Sequence, residues 1–294
     1  MRFVRFVRHD ESREQLGRLE GSMIVAAESA AGGLLPTPQL WEAVAEWSGP
    51  GIPLGDVHLL PPVAPSKIVC VGLNYADHAA EGGNELPETP LLFSKWPSSI
   101  VGPHDEIRLP SQESDPDFEA ELAVVVGRRS RQLVDEEQGW ASVGGYTVIN
   151  DVSGRQAQMG DGQWARGKGY DTFAPIGPCV VYPSEIDPGS LALGCSLDGD
   201  VFQSSSTSEM VFNVGQLLSY ISWHCTLEPG DVIATGTPAG IGFMRTPRVR
   251  LEPGQLLETW VEGIGRLENR IVADPSGPWN LDAILGQRSV GVRI

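Results

Sequence analysis

The chain has 294 residues, 41% hydrophobic and 20% charged, enough to bury a sizeable core as one large domain or as one large and one small. Its 21 Lys and Arg against 38 Asp and Glu give a net charge of −17, and the basic residues come singly or in short pairs such as Arg128–Arg129. A surface that acidic repels phosphate backbones, so nucleic acid is excluded as a partner.

Further exclusions follow from the text of the chain. Met-Arg-Phe-Val-Arg-Phe-Val-Arg lacks the unbroken apolar stretch of a signal peptide, and no apolar run approaches a membrane span. A cytoplasmic protein with no membrane partner is expected. The cysteines Cys70, Cys179, Cys195 and Cys225 stand far apart with no CxxC pair, and read as buried free thiols.

Residues 1–62 read as a small N-terminal α/β unit. Arg2 to Val7 alternates like a strand, and Ser22 to Ala26 is expected to pair with it across the polar stretch between. Thr37-Pro38 supplies an N-cap and a first-turn proline for a helix carrying Leu40, Trp41, Val44 and Trp47, which Gly49-Pro50-Gly51 stops. Pro61-Pro62 and Pro65 form a linker.

The catalytic part is read as residues 63–294. Its apolar runs are short and separated by Gly and Pro: Ile68–Val71, Glu119–Val126, Tyr146–Ile149, Cys179–Tyr182, Leu191–Leu197, Val232–Thr235 and Leu256–Val261. Helices are expected only at Asn74–Glu81, Asp135–Ala141 and Ser208–Ser222. With 35 glycines and 23 prolines, this predicts an α+β, β-rich fold rather than alternating βαβ units. From about residue 275 a surface tail or interface arm is expected.

In Phe118–Gly127, strand alternation puts Glu119 and Glu121 on one face with Ala123 and Val125. Two such carboxylates repel unless a cation or a shared proton lies between them. The other reading is the solvated end of an edge strand. Asp151 ends the next acidic strand, Tyr146 to Asp151. Three carboxylates without zinc-type Cys or His spacing make a hard oxygen site suited to Mg²⁺ or Mn²⁺, with Ca²⁺ also admissible. A strand-end Asp is also a common turn residue.

Asn74 can cap, and Gly82 end, a short helix on which His78 and Glu81 stand at i, i+3. That spacing lets the carboxylate orient the imidazole as a general base. A solvated His/Glu pair is the plain alternative. Gly82-Gly83 and the polar stretch to Pro90 suggest a mobile loop. Arg155, Gln158, Arg166 and Lys168 are the polar residues nearest these motifs, and an acidic enzyme taking an anionic substrate needs such a local positive pocket. No GxSxG, phosphate loop, GxGxxG or HExxH occurs. The Gln203–Thr207 run reads as a polar loop.

These pieces, in this order, resemble the fumarylacetoacetate hydrolase family. The matching text is Lys67–Asn74 with His-x-x-Glu after it, Pro90–Lys95, Phe118–Gly127, Gly145–Ser153, Gly167–Pro178, Gln203 with Thr207 to Phe212, and Glu228–Gly242. It spans about residues 65–275. The resemblance implies a mixed β-roll catalytic domain, usually in a homodimer, with a divalent metal held by Glu119, Glu121 and Asp151. It implies a catalytic dyad of His78 and Glu81, an active-site Lys168, and substrate contacts from Arg155, Gln158, Gln203 and Thr237.

The family commonly reads Asn-Asp-Val-Ser-Ala-Arg-Asp. Here Gly154 and Gln156 replace the alanine and the last acid, and the change at 156 bears on how Arg155 is held. The substrate expected is a small anionic 2-oxo acid. The reaction expected is hydrolytic C–C cleavage of an acylpyruvate-like 2,4-dioxo acid through an enolate stabilised by the metal, His78 activating water and Lys168 stabilising the oxyanion. Isomerisation of a 2-hydroxy-dienoate and decarboxylation of oxaloacetate pass through the same enolate. An inactive metal-binding scaffold is the alternative of another class.

Overall fold

The computed structural model describes residues 1–27, 36–277 and 284. Strand Arg2–Arg8 alternates as its sequence demands, and buries Phe3, Val4 and Phe6. Its hairpin partner is Glu14–Glu20, which in turn pairs with Met23–Ala26. The expected direct pairing of Arg2 to Val7 with Ser22 to Ala26 is therefore corrected: the stretch between them is itself a strand. Gly17 within it sits where any Cβ would press on Ile24, so its backbone packs close to the neighbouring strand.

Helix Pro38–Glu46 follows the expected code. Thr37 Oγ1 accepts the Leu40 N–H, and Leu40, Trp41 and Val44 face the core. Trp41 donates its indole N–H to Gly144 O at 2.7 Å, tying this helix to strand Val143–Asn150.

The main sheet has twelve strands. Its path runs Gly51–Pro53, Met23–Ala26, Glu14–Glu20, Arg2–Arg8, Ala174–Val181, Val143–Asn150, Ala120–Val126, Val232–Ala234, Ile68–Gly72 and Leu91–Lys95. Val57–Leu60 joins at Arg2–Arg8, and Ile100–Val101 joins at Ala174–Val181. Most pairs are antiparallel, but Val232–Ala234 runs parallel to Ile68–Gly72. A second sheet of five strands holds Asp200–Ser206, Ala192–Leu197, Leu256–Val261, Gly265–Ala273 and Ile107–Leu109. This is the β-rich α+β architecture that the punctuated apolar runs imply.

Strand Ala120–Val126 is buried throughout, because it lies mid-sheet with apolar clusters on both faces. Leu122, Val124 and Val126 enter one cluster, Ala123 and Val125 the other. Glu121 shares the second face and is almost fully buried. The solvated-edge reading of the two glutamates is thereby overturned.

Several local expectations are also corrected. The helix expected from Asn74 begins at Ala76 with Tyr75 as its N-cap. The Asn74 side chain is spent elsewhere, donating to Phe212 O and Thr235 O and accepting from Phe212 N. Gly82 ends that helix as expected. The helix expected from Ser208 starts at Val214, where Asn213 and Gln216 form a capping box. Gln203–Thr207 is mostly strand (Asp200–Ser206), not a polar loop. Two short helices, Arg155–Asp161 and Ala165–Lys168, stand where none was expected. All four cysteines are free, and Cys225 alone is only half-buried. No helix among the described residues is long and apolar enough to cross a membrane. Most of the expected C-terminal arm lies outside the described residues.

Candidate active site

The register of two neighbouring strands assembles the acidic floor. Ala120 pairs with Asn150, which puts Asp151 opposite Glu119, and the Asp151 N–H donates to Glu119 O at 2.8 Å. The Asn150 side chain locks the crossing by accepting Glu119 N and donating to Thr259 Oγ1. Ligand-capable oxygens of Glu119, Glu121 and Asp151 then lie within 4.8 Å of one another.

Three cations enclose the floor. Lys168 Nζ reaches Glu119 Oε2 at 2.8 Å and Asp151 Oδ2 at 2.7 Å. Lys95 Nζ takes the other Asp151 oxygen at 2.7 Å and Val152 O at 3.0 Å. Arg155 bridges Glu119 Oε1 at 2.5 Å and Asp117 Oδ2 at 2.7 Å. Asp117, Glu119, Glu121 and Asp151 thus face Lys95, Arg155 and Lys168, four negative charges against three positive.

The surplus falls on Glu121, which among the described residues accepts only the Gly236 N–H, at 2.7 Å. Burial, then Asp151 and Glu119, push its carboxyl well above the usual carboxylate range. Burial works against the charge of Glu119 too, but Lys168 and Arg155 outweigh it and hold that carboxyl far below its ordinary value. For Lys168 burial lowers the pKa, while Asp151 and Glu119 more than restore it, so the ammonium stays charged. A buried site whose three carboxyl groups converge, one of them short of a counter-charge, fits a hard divalent cation.

Above the floor, helix Ala76–Glu81 carries His78, whose Nδ1 lies 3.3 Å from Glu81 Oε2. Both Glu81 oxygens accept the Gly240 N–H, at 3.0 and 3.1 Å. Asp77 binds the same loop by accepting Ala239 N, and also accepts Ser205 Oγ. The loop turns at Gly236 in the left-handed region (φ +99°), where a Cβ would stand 2.8 Å from Asn74 Cβ.

A cavity of about 360 Å³ opens between helix and floor. His78, Glu119, Arg155, Gln158, Lys168 and Thr237 supply its polar wall, while Phe93, Trp164, Ile241 and Phe243 form apolar walls. Glu121 and Asp151 lie behind this lining. Gln203 lies behind it as well: fully buried, it accepts Ala120 N and donates to Thr237 Oγ1 and Pro238 O. Thr237 Oγ1 passes the chain on to Ala120 O. Arg166 turns away to an exposed pair with Asp161. Gln156 is exposed, and its side chain accepts the N–H and hydroxyl of Ser114.

Sequence reasoning passed over Lys95 and Asp117. The lysine ends a quoted motif, Pro-Leu-Leu-Phe-Ser-Lys, and a basic residue closing an apolar strand was the available signal. Asp117 stands two residues before Glu119, and accepts Gly242 N and Phe243 N besides binding Arg155.

The mixed, β-rich fold thus carries a buried carboxylate triad, a lysine bridging two of its members and an overhanging His/Glu pair. The profile described as fumarylacetoacetate (FAA) hydrolase C-terminal matches residues 67–272, and one described as Rv2993c-like, N-terminal matches residues 1–62. The chain belongs to the fumarylacetoacetate hydrolase family and is an enzyme.

It is 45% identical over 227 residues to Protein Rv2993c of Mycobacterium tuberculosis, covering 77% of this chain and 83% of that one. To the bovine (Bos taurus) mitochondrial oxaloacetate tautomerase FAHD2A it is 44% identical over 227 residues, 76% of this chain and 72% of the other. The crystal structure of 2-hydroxyhepta-2,4-diene-1,7-dioate isomerase from Mycobacterium marinum superimposes with a TM-score of 0.78 at 37% identity, covering 94% and 99% of the two chains.

Proposed function

We propose that this enzyme interconverts enol and keto forms of a small 2-oxo dicarboxylic acid, with oxaloacetate as the leading substrate. The observation that carries the reading is the single proton-handling pair, His78 with Glu81, set at an otherwise largely apolar cavity over a cationic and carboxylate floor. Tautomerisation moves one proton and needs neither an attacking water nor a leaving group. The tautomerase and isomerase named among the relatives agree with it.

Glu119, Glu121 and Asp151 would hold Mg²⁺ or Mn²⁺, which when bound supplies Lewis acidity toward the oxygens of the 2-oxo acid. Arg155 and Gln158 bind the substrate's anionic end from the cavity wall. The Lys168 ammonium stabilises negative charge on the oxygen that gains it as the proton leaves carbon. Glu81 engages Nδ1 of His78, leaving Nε2 to take the proton from one position and return it at the other. Gln203 holds Thr237 and its loop against strand Ala120–Val126. The apolar walls keep bulk water away from the enolate.

The test mixes enol-rich oxaloacetate in D₂O with protein carrying Mg²⁺ or Mn²⁺. Rapid loss of enol absorbance with deuterium entering C3, and no matching rise in pyruvate, is the expected result. Stoichiometric pyruvate would assign decarboxylation instead. With an acylpyruvate in ¹⁸O-water, label in the released acid would assign the hydrolytic reaction expected from the sequence.

A further inference from the structure

Arg155 enters the cavity from the first turn of helix Arg155–Asp161, a turn secured by a loop more than thirty residues earlier in the chain. Asp115 O accepts the Arg155 N–H at 3.0 Å. Glu113 Oε1 accepts the next N–H, from Gln156, at 3.0 Å, and Glu113 Oε2 accepts the one after, from Ala157, at 3.1 Å. Glu113 Oε1 also accepts Asp115 N at 3.0 Å, which shapes its own loop. The Gln156 side chain answers by accepting the N–H and hydroxyl of Ser114.

Glu113 is buried, and its carboxylate meets backbone N–H groups rather than a cation. Burying a carboxylate without a counter-charge is costly unless its hydrogen bonds are complete. Space for it depends on residue 154: a Cβ there would lie 2.6 Å from Glu113 Oε2 and 2.9 Å from Tyr170 Cε2. The helix-starting position Gly154 and the carboxylate of Glu113 are one fitted pair. On its other side the helix abuts Gly167, where a Cβ would come within 2.6 Å of Gly154 O and 2.7 Å of Gln158 N.

We propose that Glu113 is a positioning residue which, through the space left by Gly154, fixes the first turn of helix Arg155–Asp161 and so aims the Arg155 guanidinium at the substrate's carboxylate. The kinetic part of this proposal rests on the reading above, in which Arg155 binds the anionic end of the substrate. The positional part does not.

Three full-length variants test it: Glu113→Ala, Glu113→Gln and Gly154→Ala. The last leaves the carboxylate in the chain but takes away its place. Two quantities are read. The first is the ¹⁵N–¹H resonance of Arg155 Nε, slow to exchange because it is buried against Asp117, and assigned with Arg155→Lys. The second is the division of any loss between KM and kcat for oxaloacetate.

Glu113→Ala and Gly154→Ala should both shift or broaden that resonance. Each should raise KM about tenfold with kcat within about twofold, because a displaced binding group costs ground-state affinity. Glu113→Gln keeps one accepting oxygen and should fall between these and the parent. A lowered melting temperature with an unmoved Arg155 resonance and unchanged KM would reduce Glu113 to a plain helix cap and overturn the proposal. If the resonance moves while the parent enzyme leaves oxaloacetate untouched, the positioning role stands and the substrate reading falls. Should Glu113→Ala not fold, the other two variants carry the same decision.

Discussion

Glu119, Glu121 and Asp151 project from strand ends in the middle of a twelve-stranded sheet, whereas His78 and Glu81 ride on a six-residue helix next to a Gly-Gly turn. The carboxylates of Glu119 and Asp151 are each held by two cationic side chains. The Glu81 carboxylate is held by the single N–H of Gly240 and the edge of His78. A floor cross-linked in this way has one geometry, fixed when the sheet forms. Helix Ala76–Glu81 is tied instead to the Ala239–Gly240 loop, through Asp77 and Glu81. On the proposed reading, the groups that fix charge sit on cross-linked strands, and the group that follows a proton sits on a short helix tied by a few hydrogen bonds.

That contrast can be broken most severely from below. Asp151→Ala removes a shared partner of Lys95 and Lys168, leaving two buried ammonium groups undercompensated. Breaking a buried ion pair in this way costs about 3–5 kcal/mol, read as a large drop in denaturation midpoint, with loss of divalent-cation binding. Striking the upper layer should have another signature. His78→Ala is expected to lower kcat by about a hundredfold or more while leaving the melting temperature and Mn²⁺ affinity near those of the parent. If His78→Ala instead abolished cation binding, the separation of floor and helix would be wrong.

Cation binding itself sharpens the comparison. At one hundred times its dissociation constant, a cation that binds only the folded state adds about 2.7 kcal/mol to stability. Glu121 sets the sign of the pH dependence. Burial and then its acidic neighbours raise its carboxyl, so the cation-free fold keeps a proton there above the pH at which the unfolded chain releases it. A cation must displace that proton, so its stabilising increment should grow as pH rises through the range above ordinary carboxylate values, with protons released on binding. Paired thermal melts with and without Mn²⁺ across pH measure it, and an increment independent of pH would remove Glu121 from the ligand set. The smallest effect lies far from the site. Thr37→Ala should cost about 1 kcal/mol through loss of its cap, with kinetics unchanged.

The parts of the molecule governed by local rules could be read directly. Alternation placed Glu119 and Glu121 together, the Thr37-Pro38 pair announced its helix, and short punctuated runs announced a β-rich fold. What escaped depends on contacts between distant segments. Lys95 acquires meaning only from Asp151, 56 residues later, and Gln203 only from Ala120 and Thr237. Helices Arg155–Asp161 and Ala165–Lys168 carry no clear apolar stripe. Each ends at a glycine, and Gly167 lets one backbone touch the other, so tertiary packing rather than periodicity makes them helical. Glu14–Glu20 is polar at most positions, and earns its place in the sheet by bridging two apolar strands.

The pairing of Phe3 with Val180 and Arg2 with Val181 makes strand Arg2–Arg8, and the strands hydrogen-bonded beyond it, the cover of one strand edge. Cut away, they would leave the Val180 end of strand Ala174–Val181 as a bare apolar margin, with backbone donors and acceptors open to any other strand. Residues 63–294 expressed alone should therefore clump edge to edge rather than stay dispersed. Light scattering checks this selvedge, and a dispersed fragment would overturn it.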